Sequence, residues 1–143
     1  MLFMGEYSHT IDAKGRLIVP AKFREGLGEH FVVTKGLDGC LYAYSDEAWE
    51  ELVAKLKALP QSRRDSRRII RYFMAGATDA EYDKQGRILL PASLRKHANL
   101  TKEVTLVGAG NRVEIWDTAL WNEEEPDNIE EMAESLGELG FDF

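Results

Sequence analysis

The stretch Asp12-Ala-Lys-Gly-Arg16-Leu-Ile-Val-Pro20-Ala21-Lys-Phe-Arg24 governs the reading of the whole chain, because it returns as Asp83-Lys-Gln-Gly-Arg87-Ile-Leu-Leu-Pro91-Ala92-Ser-Leu-Arg95. The Asp, Gly, first Arg, Pro, Ala and last Arg are identical in the two copies. Outward from this block Gly5 corresponds to Gly76 and, after a one-residue gap, Gly36 to Gly108, Tyr44 to Trp116 and Trp49 to Trp121. Self-similarity at a fixed spacing means that one supersecondary unit has been used twice.

Within a unit, the apolar residues on either side of the Asp-x-x-Gly-Arg segment (Tyr7 and Ile11, then Leu17, Ile18 and Val19) read as two strands joined by a tight turn at Gly15 or Gly86. This predicts a hairpin with an exposed tip in each half. Pro20 and Pro91 stand where a first helical position is expected, and Gly28 and Asn99 suit the stop of the short helix that follows. Phe31–Thr34 with Cys40–Tyr44, and Val104–Val107 with Arg112–Trp116, are apolar runs divided by Gly-rich turns and predict a second hairpin per half. Ser45 reads as an N-cap, after which Trp49, Leu52, Val53, Leu56 and Leu59 recur at helical spacing as far as Pro60. Residues 61–74 predict a further helix that carries Arg63, Arg64, Arg67, Arg68 and Arg71 opposite a buried face of Ile69, Ile70, Phe73 and Met74. Residues 126–137 predict an acidic amphipathic helix with Ile129, Met132, Ala133 and Leu136 on one face. The chain therefore divides into a first repeat (5–59), a basic helical linker (60–75), a second repeat (76–122) and an acidic tail (123–143).

A chain of 143 residues with 44% hydrophobic and 30% charged side chains can bury one proper core. No run approaches the roughly 20 apolar residues that span a bilayer, and the N-terminus lacks a basic segment before an apolar one, so a cytoplasmic protein is expected. The single cysteine, Cys40, lies in an apolar strand and reads as a buried structural thiol in a reducing compartment. The net charge of -7 is unevenly placed: residues 117–143 hold ten acidic and no basic side chains, so residues 1–116 carry a net +3. His9, His30 and His97 show no ligand spacing, and no phosphate-cradling glycine motif or nucleophile elbow occurs, so neither a metal, a cofactor nor an enzyme activity is expected. Two repeat-related aspartates raise the idea of a carboxylate dyad, but the lysines flanking Asp12 and Asp83 oppose the raised pKa that an acid needs.

The repeated loop suits DNA better. Arg16 and Arg87 can each pair bidentately with guanine O6 and N7, Lys14 and Lys84 can meet phosphates, and Asp12 and Asp83 can hold their loops closed around Gly15 and Gly86. A purely structural Asp–Arg salt bridge is the other reading of the same spacing, and the two are compatible. The arginine-rich linker reads either as a solvated basic face or as a DNA patch, whereas Trp49 and Trp121 read as core rather than as base-stacking residues.

Met4-Gly-Glu-Tyr-Ser-His-Thr-Ile-Asp12-Ala-Lys-Gly-Arg16, together with Gly76 through Asp83-Lys-Gln-Gly-Arg87, resembles the MraZ family of the AbrB/MazE-like swapped-hairpin superfamily over nearly the whole chain. The resemblance implies an α+β fold, a double-split β-barrel built from two tandem repeats with peripheral helices. It also implies a ring-shaped homo-oligomer, an octamer being the expected form. Its implied function is repression of the division and cell-wall gene cluster through GTG-containing direct repeats of double-stranded DNA in the protein's own promoter, with association with the nucleoid. The first loop, with Lys14 and Arg16, is then the leading contact, and the second, with Lys84 beside Asp83 and Gln85 in place of Lys14, the weaker one. An antitoxin-like interaction module, with the acidic tail binding a protein partner, is the alternative within the same superfamily.

Overall fold

The computed structural model describes residues 2–142. In chain order the elements are β1 (Glu6–Thr10), β2 (Arg16–Ile18), α1 (Ala21–Leu27), β3 (His30–Lys35), β4 (Leu41–Ser45), α2 (Asp46–Lys57) and α3 (Arg64–Gly76). The second half follows with β5 (Thr78–Glu81), β6 (Arg87–Leu89), α4 (Ala92–His97), β7 (Glu103–Gly108), β8 (Val113–Asp117), α5 (Thr118–Glu123) and α6 (Ile129–Gly137). The fold is α+β: a six-stranded antiparallel sheet in the order β1-β7-β8-β4-β3-β5, and a separate two-stranded ribbon of β2 and β6.

The predicted hairpins β3–β4 and β7–β8 are present. The other predicted hairpin is not what forms. β1 pairs along its length with β7 of the other half, Tyr7 facing Leu106, and β5 pairs with β3, Phe31 facing Ala80. β2 pairs with β6, and it is tied back toward the end of β1 by the bridge between Ile11 and Leu17 and by the Asp12 amide's bond to the Arg16 carbonyl. The halves have exchanged strands, and the sheet order reads the same from either end once each strand is replaced by its repeat counterpart. Period-2 patterning says which face of a strand is buried but not which neighbour it pairs with, so the exchange follows from tertiary packing.

Alternation along the strands builds two apolar layers. Leu41 and Ala43 of β4 point into one core together with Phe31, Val33, Val104, Leu106, Val113 and Ile115. That core is closed by the ribbon through Leu17 and Ile88, by α1 through Phe23 and Leu27, and by α4 through Leu94. Tyr42 and Tyr44 of β4 point the other way, with Trp116, and are covered by Leu56 of α2, Phe73 of α3, and Leu120 and Trp121 of α5. The ribbon and the helices α2, α3 and α5 therefore lie on opposite faces of the six-stranded sheet.

Local chemistry sets the helix limits. Ser45 caps α2 by accepting from the Ala48 amide at 3.2 Å, and Asp117 caps α5 by accepting from Leu120. Pro20 and Pro91 precede the helices rather than opening them, one position earlier than expected. Gly28 and Asn99, both at positive φ, end the helices where expected. α3 is anchored at its end by the buried Thr34 hydroxyl, which donates to the Phe73 carbonyl at 2.7 Å. Arg64, Arg67, Arg68 and Arg71 line the exposed side of α3, opposite Ser66 and Phe73, and Met74, expected on the buried face, is exposed instead. The acidic helix forms as α6, but its apolar face stays open, with Ile129, Met132 and Leu136 exposed. Trp49 and Trp121 are half-buried against the second core, as expected of core residues, and Cys40 is fully buried, with burial pushing its thiol up to about 12.

Candidate nucleic-acid interface

Each Asp-x-x-Gly-Arg segment forms a turn closed from both ends. The Gly15 amide donates to the Asp12 carbonyl at 3.0 Å, and the Asp12 amide donates to the Arg16 carbonyl at 3.1 Å. The Asp12 carboxylate then accepts the amides of Lys14 at 3.0 Å and Arg16 at 2.9 Å on one oxygen, and the Arg16 Nε–H at 2.6 Å on the other. Asp83 repeats this atom for atom with the Gln85 amide, the Arg87 amide and Arg87 Nε. The backbone amides of Arg16 and Arg87, followed by the guanidinium bonds, hold both carboxyls below their ordinary value.

A short side chain reaches its own turn's amides, the Asp charge adds the grip on the guanidinium, and glycine is needed because the turn demands a left-handed backbone. Gly15 has φ +90 and Gly86 φ +75. Each arginine is gripped at Nε, and among the described residues no hydrogen bond or ion pair engages the Nη atoms of Arg16 or Arg87. The salt bridge is thus real, and it orients each arginine while leaving the end of its fork available.

The predicted hairpin tips become something different. Because Arg16 pairs with Leu89 and Ile18 with Arg87, the antiparallel ribbon sets the two arginines on one face as diagonal neighbours, about 7–8 Å apart by ordinary ribbon geometry. Leu17 and Ile88 alternate inward and are buried. On the outer face Ile18 is 39% and Leu89 63% exposed. Lys14 and Lys84 are exposed on their turns. The structure thus brings together Asp12, Lys14, Gly15 and Arg16 with Asp83, Lys84, Gly86 and Arg87, and adds Ile18 and Leu89, which the sequence reading took only as strand residues. Period-2 alternation about Leu17 and Ile88 was the signal for those two.

The arginine-rich α3 lies on the other side of the sheet from this ribbon, so its basic face is separate from the loops. The three histidines are scattered. His30 is bonded to Asp46 at 2.8 Å and to Asp79 at 3.1 Å, and the Asp46 bond is the main cause that raises its pKa. Among the described residues no group of histidine, cysteine and carboxylate side chains could hold a metal, and no helix is long and apolar enough to cross a membrane.

Fold and site together define an internally duplicated α+β protein whose halves exchange strands and set two Asp–Arg turns side by side on a solvent-facing ribbon. The family described as "MraZ protein, putative antitoxin-like" matches residues 2–72 and again 73–136, one match per repeat. A protein of Lachnoclostridium phytofermentans named transcriptional regulator MraZ is 54% identical over 142 residues, covering 99% of this chain and 100% of the relative. One of the same name from a Thermoanaerobacter species is 55% identical over 141 residues, covering 96% and 99%. The chain belongs to the MraZ family.

Proposed function

We propose that this protein is a DNA-binding transcriptional regulator whose β2–β6 ribbon enters a major groove. The observation that carries the reading is the pair of oriented arginines on one exposed ribbon face, flanked by Ile18 and Leu89. A major groove admits a two-stranded ribbon, an arginine fork matches guanine O6 and N7, and an apolar side chain beside it suits a thymine methyl. Lys14 and Lys84 meet phosphates on either side. The names of the relatives support regulation of transcription.

The finer assignment follows the family likeness. The ribbon and sheet are the two parts of a double-split β-barrel, and the chain assembles as a ring-shaped homo-oligomer, an octamer. It represses the division and cell-wall gene cluster from GTG direct repeats and resides in the cytoplasm on the nucleoid. A ring of weak readers held rigidly gains affinity on repeated DNA through effective concentration. No catalysis, cofactor or metal enters this reading.

Fluorescence anisotropy with a duplex of GTG direct repeats and its scrambled counterpart, across a salt series, tests it. Wild type is expected to prefer the repeats, and Arg16→Ala to lose about tenfold of that preference at unchanged oligomeric state, the scale of one bidentate base contact. Equal binding to both duplexes, or none at low salt, would overturn it. A second reading, an antitoxin-like interaction module, is favoured by the exposed apolar face of α6. In that case deletion of residues 126–143 abolishes binding of a protein partner and leaves DNA binding intact.

A further inference from the structure

We propose that Arg24 and Arg95, the last arginines of the duplicated block, are positioning residues, each fixing the loop of the opposite repeat. The antiparallel ribbon lays the end of β6 beside the first loop and the end of β2 beside the second. Accordingly the Leu90 amide donates to the Gly15 carbonyl at 2.8 Å, and the Val19 amide to the Gly86 carbonyl at 3.1 Å. From there each half turns into its short helix, which returns an arginine to the same loop. Arg95 Nε donates to the Leu90 carbonyl at 3.0 Å and lies 2.8 Å from where a Cβ on Gly15 would stand. The Arg24 guanidinium occupies the corresponding place over Gly86 even more closely.

Aligned residues thus lie against the opposite repeat's glycine in both halves, and among the described residues only Arg95 adds a hydrogen bond there, to the Leu90 carbonyl. This placement gives both glycines a second reason besides their positive φ: a methyl group would strike the other repeat's arginine. Arg24 and Arg95 are half-buried, and among the described residues neither pairs with a carboxylate. The guanidinium acts as a planar wedge held over the loop, a role that Lys, a point charge on a flexible stem, does not reproduce. Each loop is thereby shaped by the helix of the other half.

The functional consequence rests on the DNA reading above, but the contact itself does not, and two measurements separate them. In the free protein, amide hydrogen exchange in Arg95→Gln is expected to quicken at Gly15 and Arg16 and to leave Gly86 and Arg87 unchanged, with Arg24→Gln showing the reverse. Quickening at the variant's own loop instead, or at neither, overturns the proposal whether or not DNA binds. With DNA, Arg95→Gln is expected to lower the preference for the repeat duplex over the scrambled one by roughly tenfold, the size of a coupling between contacting residues. Combined with Arg16→Ala the loss should not deepen, whereas with Arg87→Ala the losses should multiply. Full restoration by Arg95→Lys would mean that charge alone matters and would also overturn the positioning role. Crosswise exchange without any sequence preference in the wild type would leave the positioning standing and remove the DNA reading.

Discussion

Asp12 and Asp83 each satisfy two amides and one guanidinium, so the loop's shape depends on their charge. A folded-state pKa held below the ordinary 3.8 means that the turn's stabilisation is fully present above that value and is lost as pH falls through the lowered one. The Arg16 amide resonance is expected to titrate with a midpoint under 3.8 and to stop titrating in Asp12→Asn; a midpoint at or above 3.8 would contradict the hydrogen-bonded turn. Glycine gives a second test at this scale. A Cβ at Gly15 meets the Leu90 carbonyl at 2.7 Å, whereas one at Gly110, with φ +82, meets nothing within 4 Å. Both Ala variants carry backbone strain, and Gly15→Ala is expected to cost clearly more than the roughly 1 kcal/mol of Gly110→Ala in urea denaturation. Equal losses would mean that the close approach across the halves is absent in solution.

Elements differ in how far the sequence discloses them. β3–β4 and β7–β8 were legible because their turns are short and the pairing is local. α2 was legible from its cap and apolar spacing, and α3 from a stripe of arginines set against Ile69, Ile70 and Phe73. What fixes α3 to the sheet was not legible, since Thr34 gives no periodic signal. Its hydroxyl is buried and donates to the Phe73 carbonyl. Thr34→Val keeps the shape and strands that carbonyl, and a loss of about 1–3 kcal/mol is expected in urea denaturation. An unchanged midpoint would mean that α3 is held by its apolar contacts alone.

At the scale of the molecule, duplication was plain in the repeated block, but exchange was not. A hairpin at Asp12–Arg16 and a strand swap obey the same alternation, and long-range packing chooses between them. The site shared that fate: its residues were named from spacing, while their convergence on one ribbon, and the reach of Arg24 and Arg95 across it, exist only once the halves interlock. Since β1 needs β7 and β5 needs β3, neither half has a complete sheet alone. Fragments 1–75 and 76–143 are expected to give no folded monomer, and to form a one-to-one complex on mixing that restores the native circular dichroism spectrum. A cooperatively folding monomer of either fragment would contradict the exchange.

In the proposed function the ribbon's arginines read guanine from the major groove. The direct test replaces the guanines of the repeat duplex by 7-deazaguanine, which removes the N7 acceptor and leaves the backbone and pairing intact. Wild type is expected to lose on the order of tenfold in affinity per contacted base, and Arg16→Ala to be indifferent at the base that Arg16 reads. Equal affinity of the wild type for the two duplexes would contradict the claim.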